Sequence, residues 1–325
     1  MAATRILLVD NGSLQPAATL ALRRLSAEVA QLLGHPVHPV SVLHSHKIDP
    51  ALLEGRPAVI FEQAVRQAKA DGVAELIVLP LFIGPSLALT EYLPKVFAES
   101  APGAMNLSIR EPLFGPELVD MLIDNLKSTG WTKGSGTVLL CDHGSPVRDV
   151  TRCRDLLADA IRTELGLRRD DLVACSMERR EGPEYDFNKP LLEDALQQAK
   201  GDATILMLFL LPGRHAGPEG DVATIAKEHA PAGLRWKLSP LLGTHPDLPS
   251  LLMMRHNLPP VNLKAAKNVV IGAIILSLLW PVVISLCLPK GRLDLTERLL
   301  LWLGGVALIL GFVYAYFRAL RRKKP

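Results

Sequence analysis

The chain is written twice. ILLVDNGS at Ile6–Ser13 returns as VLLCDHGS at Val138–Ser145, EQAVRQAK at Glu62–Lys69 as EDALQQAK at Glu193–Lys200, and EPLFGPEL at Glu111–Leu118 as SPLLGTHPDL at Ser239–Leu248. The offsets of 132, 131 and 128 residues are nearly constant, which marks a tandem duplication. Whatever one half folds into, the other must fold into as well. The copies part company at one telling place: His143 stands in the second where Asn11 stands in the first. Function is read as kept in one half and lost in the other.

Within each half, short β-branched runs alternate with longer amphipathic ones. Strands are predicted over Arg5–Asp10, Pro39–Leu43, Leu76–Phe82 and Leu107–Arg110, and again over Thr137–Asp142, Leu172–Met177, Thr204–Leu210 and Arg235–Leu238. Helices are predicted at Gln15–Leu33, Ala58–Ala70, Leu87–Ser100 and Pro116–Lys127, then at Asp149–Leu165, Leu191–Lys200, Asp221–His229 and Pro246–Arg255. Apolar strands alternating with helices predict a parallel sheet covered on both faces. The expected fold is α/β: two tandem duplicated, doubly wound parallel-sheet domains, residues 1–128 (degenerate) and 134–256 (carrying the histidines). Ser128–Gly136, rich in Gly, Ser, Thr and Lys, links them.

The remainder reads differently. Val269–Leu288 is 20 residues without a charge and Leu299–Phe317 is 19 more. Each is long enough to cross a hydrocarbon core of about 30 Å as a helix. Residues 257–266 are therefore read as a linker and 267–325 as a transmembrane helical hairpin with a basic tail. The alternative, two apolar helices buried in a large core, finds nothing downstream to bury them. Seven basic residues flank the two runs on the outside against three in the connector between them, which places both ends in the cytoplasm. MAATRILLVD enters a strand at once, without the apolar region of a signal peptide. A multi-pass anchor in the cytoplasmic membrane, with the globular part facing the cytoplasm, is the expected localisation. From Lys264 onward there are ten basic and two acidic residues, and before it 26 basic and 31 acidic. The net charge of +3 is thus a membrane-flank effect and gives no ground for a nucleic-acid partner. Cys141, Cys153, Cys175 and Cys287 form no CxxC pattern and read as buried thiols of a reducing compartment.

In open α/β sheets ligands bind beyond the carboxyl ends of the strands. In the second half those ends carry His143 after the first strand, Glu178 after the second and His215 shortly after the third. The first half offers Asn11, His44 and a loop, Ile83–Pro94, without histidine. Two imidazoles and a carboxylate suit Co²⁺, Fe²⁺, Ni²⁺ or Zn²⁺, and they leave coordination positions open, as a catalytic or transfer site requires. On spacing alone other readings stand beside this one: a hydrogen-bonded structural histidine, Glu178 paired with Arg179 or Arg180, or a zinc hydrolase.

DHGS at the end of a strand, a Glu directly after the next, and LFLLPGRHAGPEGDV (Leu208–Val222) after the third resemble the CbiX/SirB-type sirohydrochlorin chelatases of the class II chelatase superfamily. The resemblance spans residues 1–256, both halves, and leaves the hairpin unexplained. It implies a two-lobed metal chelatase, a lyase, that inserts a divalent metal into a tetrapyrrole lying between the lobes. Carried over by position, His143 and His215 bind the metal or accept pyrrole protons, and Glu178 is a third ligand or proton acceptor. Gly213 and Asp221 belong to the same loop pattern. A polycarboxylate substrate wants cations near the crevice, a role open to Arg148, Arg152, Arg179, Arg180 and Arg214, with Ser145 beside them; solvated surface is the plainer alternative for these. The family's two-domain members carry their histidines in the first half, so here the site has changed lobes or is impaired. His44 and His46 are candidates to contribute across the cleft, and His245 to cap a helix. The metal is expected as substrate (Co²⁺ or Fe²⁺, with Ni²⁺ also in range), and no nucleotide, since GxxxxGK[ST] is absent. The expected product belongs to sirohaem or cobalamin-type tetrapyrrole synthesis, with a membrane metal transporter or a neighbouring biosynthetic enzyme as partner. A ferrochelatase acting on a more apolar porphyrin, and a non-catalytic metal or tetrapyrrole carrier, are the rival readings.

Overall fold

A computed structural model of the protein describes residues 3–100, 103–217 and 219–258. The first half runs β1 (Thr4–Asp10), α1 (Pro16–Leu33), β2 (Val37–Ser41), α2 (Phe61–Ala70), β3 (Glu75–Pro80), α3 (Leu93–Ser100), β4 (Asn106–Ile109) and α4 (Pro116–Ser128). The second repeats it: β5 (Gly136–Asp142), α5 (Arg148–Leu165), β6 (Leu172–Ser176), α6 (Leu192–Gln197), β7 (Asp202–Met207), α7 (Asp221–His229), β8 (Trp236–Leu238) and α8 (Leu248–Asn257). The strands form two parallel four-stranded sheets of the same order, β2-β1-β3-β4 and β6-β5-β7-β8. The molecule is thus built of two parallel-sheet α/β lobes, as the alternation of apolar strands and helices predicts.

The strands lack polar alternation because both of their faces are covered. In β1, Leu7 and Val9 join a core with Phe61 and Val65 of α2 and Leu93 of α3, while Ile6 and Leu8 join Leu22 and Leu25 of α1. β5 behaves alike, with Leu139 and Cys141 on one side and Val138 and Leu140 on the other. Helices α1 and α5, 18 residues each, both end at a glycine in the left-handed region, Gly34 (φ 66°) and Gly166 (φ 59°). Helix α2 starts three residues later than its pattern predicts. Ile60 is taken by a bridge to Ser41, as Leu191 is by Ser176 in the other lobe. The run Leu87–Ser100 begins as a π-helical turn over Ala88–Tyr92 before α3 takes over.

The sequence repeats and the packing units are offset by one helix. Helix α8 packs on α1 and β3 of the first lobe, and α4 packs on α5 and β7 of the second. The exchange is pinned by equivalent bonds. Asn125 Nδ2 of α4 donates to the Pro240 carbonyl (3.3 Å), and Arg255 Nε of α8 donates to the carbonyl of Pro112 (3.0 Å), the matching proline one repeat earlier. One continuous apolar cluster therefore runs from Ile6 and Leu22 through Leu122 and Leu140 to Leu251. The linker and hairpin expected over 257–325, and Cys287 with them, lie outside the described residues apart from the end of α8 and Leu258. Among the described residues no helix is long and apolar enough to cross a membrane.

Candidate metal and tetrapyrrole site

Strand β1 lies between β2 and β3, and β5 between β6 and β7, so the chain leaves each central strand at the point where the winding direction changes. Both loops follow the same path. Asp10 and Asp142 close the strands, and Gly12 (φ 90°) and Gly144 (φ 94°) turn the chain under the end of the neighbouring strand. A Cβ on Gly144 would stand 2.0 Å from the Glu178 carbonyl oxygen, and one on Gly12 1.9 Å from that of Leu43. The glycine of the DHGS and DNGS motifs is therefore demanded by the close passage of two backbones. The same register makes Leu43, and not His44, the counterpart of Glu178. The first lobe thus has neither the carboxylate nor the imidazole at these positions.

Between the two sets of strand ends lies a cleft of about 710 Å³. Asp142, His143, Leu210, Arg214 and His215 line it from the second lobe, and Asp10, Asn11, Leu14, His44 and Phe82 from the first. This is within the size range of small-molecule sites. The rings of His143 and His215 meet edge to face, their centroids 4.6 Å apart. His143 Nε2 lies 3.3 Å from Glu178 Oε1, and its Nδ1 lies 3.0 Å from the Gly144 carbonyl. With Nδ1–H donating to that carbonyl, Nε2 and Oε1 present two lone-pair faces to each other, an arrangement that needs a proton or a cation between them. His215 Nδ1 is held by Asp221 Oδ2 at 2.7 Å, which leaves Nε2 as its free nitrogen. A carboxylate behind an imidazole in this way orients the ring and raises its basicity toward a metal. The loop folds back to make that contact, with Asp221 N–H on the Arg214 carbonyl (3.1 Å) and Val222 N–H on that of His215 (3.2 Å).

The predicted ligand set is thus brought together as a row, Glu178–His143–His215, and not as a closed cage. Among the described residues no group of three or more His, Cys, Asp and Glu side chains is drawn to one point. Side-chain exposures of 45%, 59% and 34% for His143, Glu178 and His215 leave the row open to solvent, with the two histidines lining the cleft. Two donors in contact can hold an ion without enclosing it, which suits a site that must release what it binds.

The predicted cations are distributed unevenly. Arg214 lines the cleft, with Nε 3.4 Å from Asp221 Oδ2. Arg148 instead lies over the Phe187 ring (4.6 Å), and Arg180 is 5.9 Å from that of Tyr185. Arg179 is spent on its own loop, donating to the carbonyls of Arg180 and Gly182. Ser145 serves the turn: its N–H donates to Asn188 Oδ1 (3.0 Å) and its Oγ accepts from Val147 N–H (3.0 Å). His44 lines the cleft in a γ-turn of the rarer sense (φ 68°, ψ −42°), closed by Ser45 N–H on the Leu43 carbonyl. His46 is exposed elsewhere, and His245 Nδ1 accepts from Asp247 N–H just ahead of α8.

Sequence reasoning missed what holds the DHGS turn. Arg154, 1% exposed, donates to Ser176 Oγ and to the Asn188 carbonyl, and stands 3.6 Å from Asp142. Asp142 in turn accepts from Ser176 and from Gly144 N–H. Asn188 binds both backbone groups of Ser145 and the Thr151 hydroxyl. The signal was an arginine on the apolar face of α5, three residues after Thr151 and three before Leu157.

Superposition on known structures places this architecture. SirB from Bacillus subtilis with Fe³⁺ matches with a TM-score of 0.59 at 16% identity, over 81% of this chain and 98% of that one. The chain shares its fold with the sirohydrochlorin chelatases. CbiX, the terminal enzyme for biosynthesis of siroheme in denitrifying bacteria, matches at 0.53 and 18% identity (78% and 97% of the two chains). SirB from Bacillus subtilis subspecies spizizenii in complex with cobalt matches at 0.54 and 17% (78% and 93%). No protein-family model and no curated protein matches the sequence. The fold is therefore shared with these chains at 16–18% identity.

Proposed function

We propose that the protein is a chelatase that inserts a divalent metal, Co²⁺ or Fe²⁺, into sirohydrochlorin. The observation that carries this reading is the contact of His143 with His215 at the wall of a cleft shared by two chelatase-fold lobes. Asp221 stands behind His215 and the Gly144 carbonyl behind His143, while Glu178 faces His143 Nε2, so the pair can hold a divalent ion loosely while a planar ligand lies against it. Insertion breaks two pyrrole N–H bonds as metal–nitrogen bonds form, and the metal is a substrate, not a resident cofactor. Arg214 at the cleft wall supports a substrate bearing carboxylates over an apolar porphyrin.

The test is anaerobic absorbance of the full chain with sirohydrochlorin and Co²⁺, run beside His143→Ala and His215→Ala. Metallation well above the spontaneous rate is expected, with a loss of about 100-fold or more in either variant. Binding of one equivalent of metal or tetrapyrrole without turnover would point to a carrier, and turnover only with an apolar porphyrin to a ferrochelatase. Fe²⁺ and Ni²⁺ in parallel address metal choice, which ligand type alone leaves open.

The two uncharged runs near the C-terminus support a further reading: a hairpin over 267–325 tethers the protein to the cytoplasmic membrane with its lobes in the cytoplasm. The full chain is then expected in the membrane pellet after alkaline extraction, and a chain ending at Asn257 in the supernatant. Recovery of the full chain in the supernatant would overturn the tether.

A further inference from the structure

The two lobes close their central strands alike, in Asp10 and Asp142, and both residues line the cleft while being buried. They differ in what balances them. Asp142 has the Arg154 guanidinium 3.6 Å away. One repeat earlier that arginine is Leu22. The first lobe does carry an arginine at the next position, but Arg23 reaches the carbonyls of Leu53, Arg56 and Pro57. Where Arg154 and Asn188 fill the second lobe, the first has a hollow of about 220 Å³ lined by Leu22, Arg23, Ser41 and Pro57.

Asp10 is left as a buried carboxyl group whose Oδ1 has no hydrogen-bond partner. Burial pushes its pKa up to about 6, opposed by hydrogen bonds from the Ser41 hydroxyl and the Gly12 N–H, and no charged group contributes. Ser41 of β2 is its partner in the sheet and Leu81 follows β3 on the same cleft wall, where His44 is the titratable side chain. Near neutral pH such a group is mostly ionised, has a lone pair that nothing occupies, and is a stronger base than an ordinary carboxylate.

Resting on the chelatase reading, we propose that Asp10 is a catalytic residue contributed by the first lobe, and that its carboxylate accepts one of the two protons leaving the macrocycle. An imidazole nitrogen whose lone pair holds the metal cannot take a proton at the same time, so a separate acceptor is required. The second lobe supplies the metal-holding imidazoles and the first supplies the base, on opposite walls of one cleft. Two N–H bonds break and metal–nitrogen bonds form. One proton converts the Asp10 carboxylate to a carboxyl group and the other passes to water. Asp10 then releases its proton to water, and nothing is oxidised or reduced. The lobe that lost its histidines has on this view kept a role in the reaction.

The experiment uses the full chain, sirohydrochlorin and Co²⁺, with Asp10→Asn and Asp10→Ala compared with wild type over pH 5–8. Asp10→Asn is expected to insert metal at least about 100-fold more slowly at neutral pH while titrating sirohydrochlorin with unchanged affinity. The fall in rate toward acid should become shallower by one proton, and added formate should restore part of the activity of Asp10→Ala. A rate for Asp10→Asn within a few-fold of wild type overturns the proposal. So does a rate loss that follows weakened tetrapyrrole binding. Asp10→Asn keeps the shape of the side chain, so it decides the matter should Asp10→Ala fail to fold. Absence of turnover in the wild type with Co²⁺, Fe²⁺ and Ni²⁺ is a different result, which removes the chelatase reading itself.

Discussion

Gly144→Ala is expected to abolish the site and to destabilise the second lobe by at least about 3 kcal/mol. Its Cβ would fall 2.0 Å from the Glu178 carbonyl oxygen, and the backbone at φ 94° is one that alanine adopts only under strain. Neither backbone has room to yield cheaply, because His143 O and Asp142 O accept from Glu178 N–H (3.1 Å) and Met177 N–H (2.7 Å) in the same passage. Relief of the clash must move Glu178 away from His143. A displacement of about 1 Å at reacting groups costs on the order of 100-fold in rate. Gly12→Ala is the internal control, since its Cβ meets the Leu43 carbonyl oxygen at 1.9 Å in a lobe without the histidines. Thermal unfolding should show similar losses for both variants, about 6–12 °C, while Co²⁺ binding should suffer far more in Gly144→Ala. Equal loss of metal binding in the two would mean that the turn does not position His143 in particular.

Arg154→Leu, which writes the first lobe's residue into the second, should cost about 3–5 kcal/mol, because it leaves Asp142 as an uncompensated buried charge. The loss should depend on pH. Burial already raises the Asp142 pKa, and the Arg154 guanidinium is the largest opposing influence, ahead of the Ser176 hydroxyl. Without it the folded-state pKa climbs further above the unfolded value. A carboxyl group of that kind contributes stability that is fully present below the unfolded pKa of about 4 and is lost as pH rises through the folded one. The deficit of Arg154→Leu should therefore be smallest near pH 4 and largest at pH 7–8. Asp10, with a pKa of about 6 in the lobe where Leu22 takes the place of Arg154, shows the same chemistry in the wild-type chain. Urea titrations at several pH values measure this, and adding Asp142→Asn should recover part of the loss at pH 7–8 only. A deficit that ignores pH would show that Arg154 acts by packing and not by charge.

Much of this architecture can be read from the residues, because apolar runs covered on both faces have one common solution, the parallel sheet. The duplication then supplied the second lobe from the first. His143, Glu178 and His215 stand where strand ends place them, and their convergence follows from β5 lying between β6 and β7. What could not be read was tertiary in origin. Arg148 and Arg179 look alike in sequence, yet one stacks on Phe187 and the other closes its own loop. The pairing of Glu178 with Leu43 depends on a register that spacing alone had placed one residue off, at His44. The exchange of α4 and α8 leaves no periodic signal at all, since an apolar stripe does not say which sheet it will meet.

That exchange has a consequence for how the two halves came to differ. Half of this chain, alone, would leave part of one sheet face bare and one helix without a seat, and the natural cover for both is the same half of a second molecule. Such a pair is held by concentration, and its members are identical by necessity: a histidine lost from one is lost from both. Joining them on one chain makes the crossing of helices intramolecular, so it persists at any dilution. It also gives each copy its own residues. Asn11, Leu22 and Leu43 can then sit opposite His143, Arg154 and Glu178 without the molecule coming apart. The interlock that makes the lobes inseparable is what frees them to be unequal.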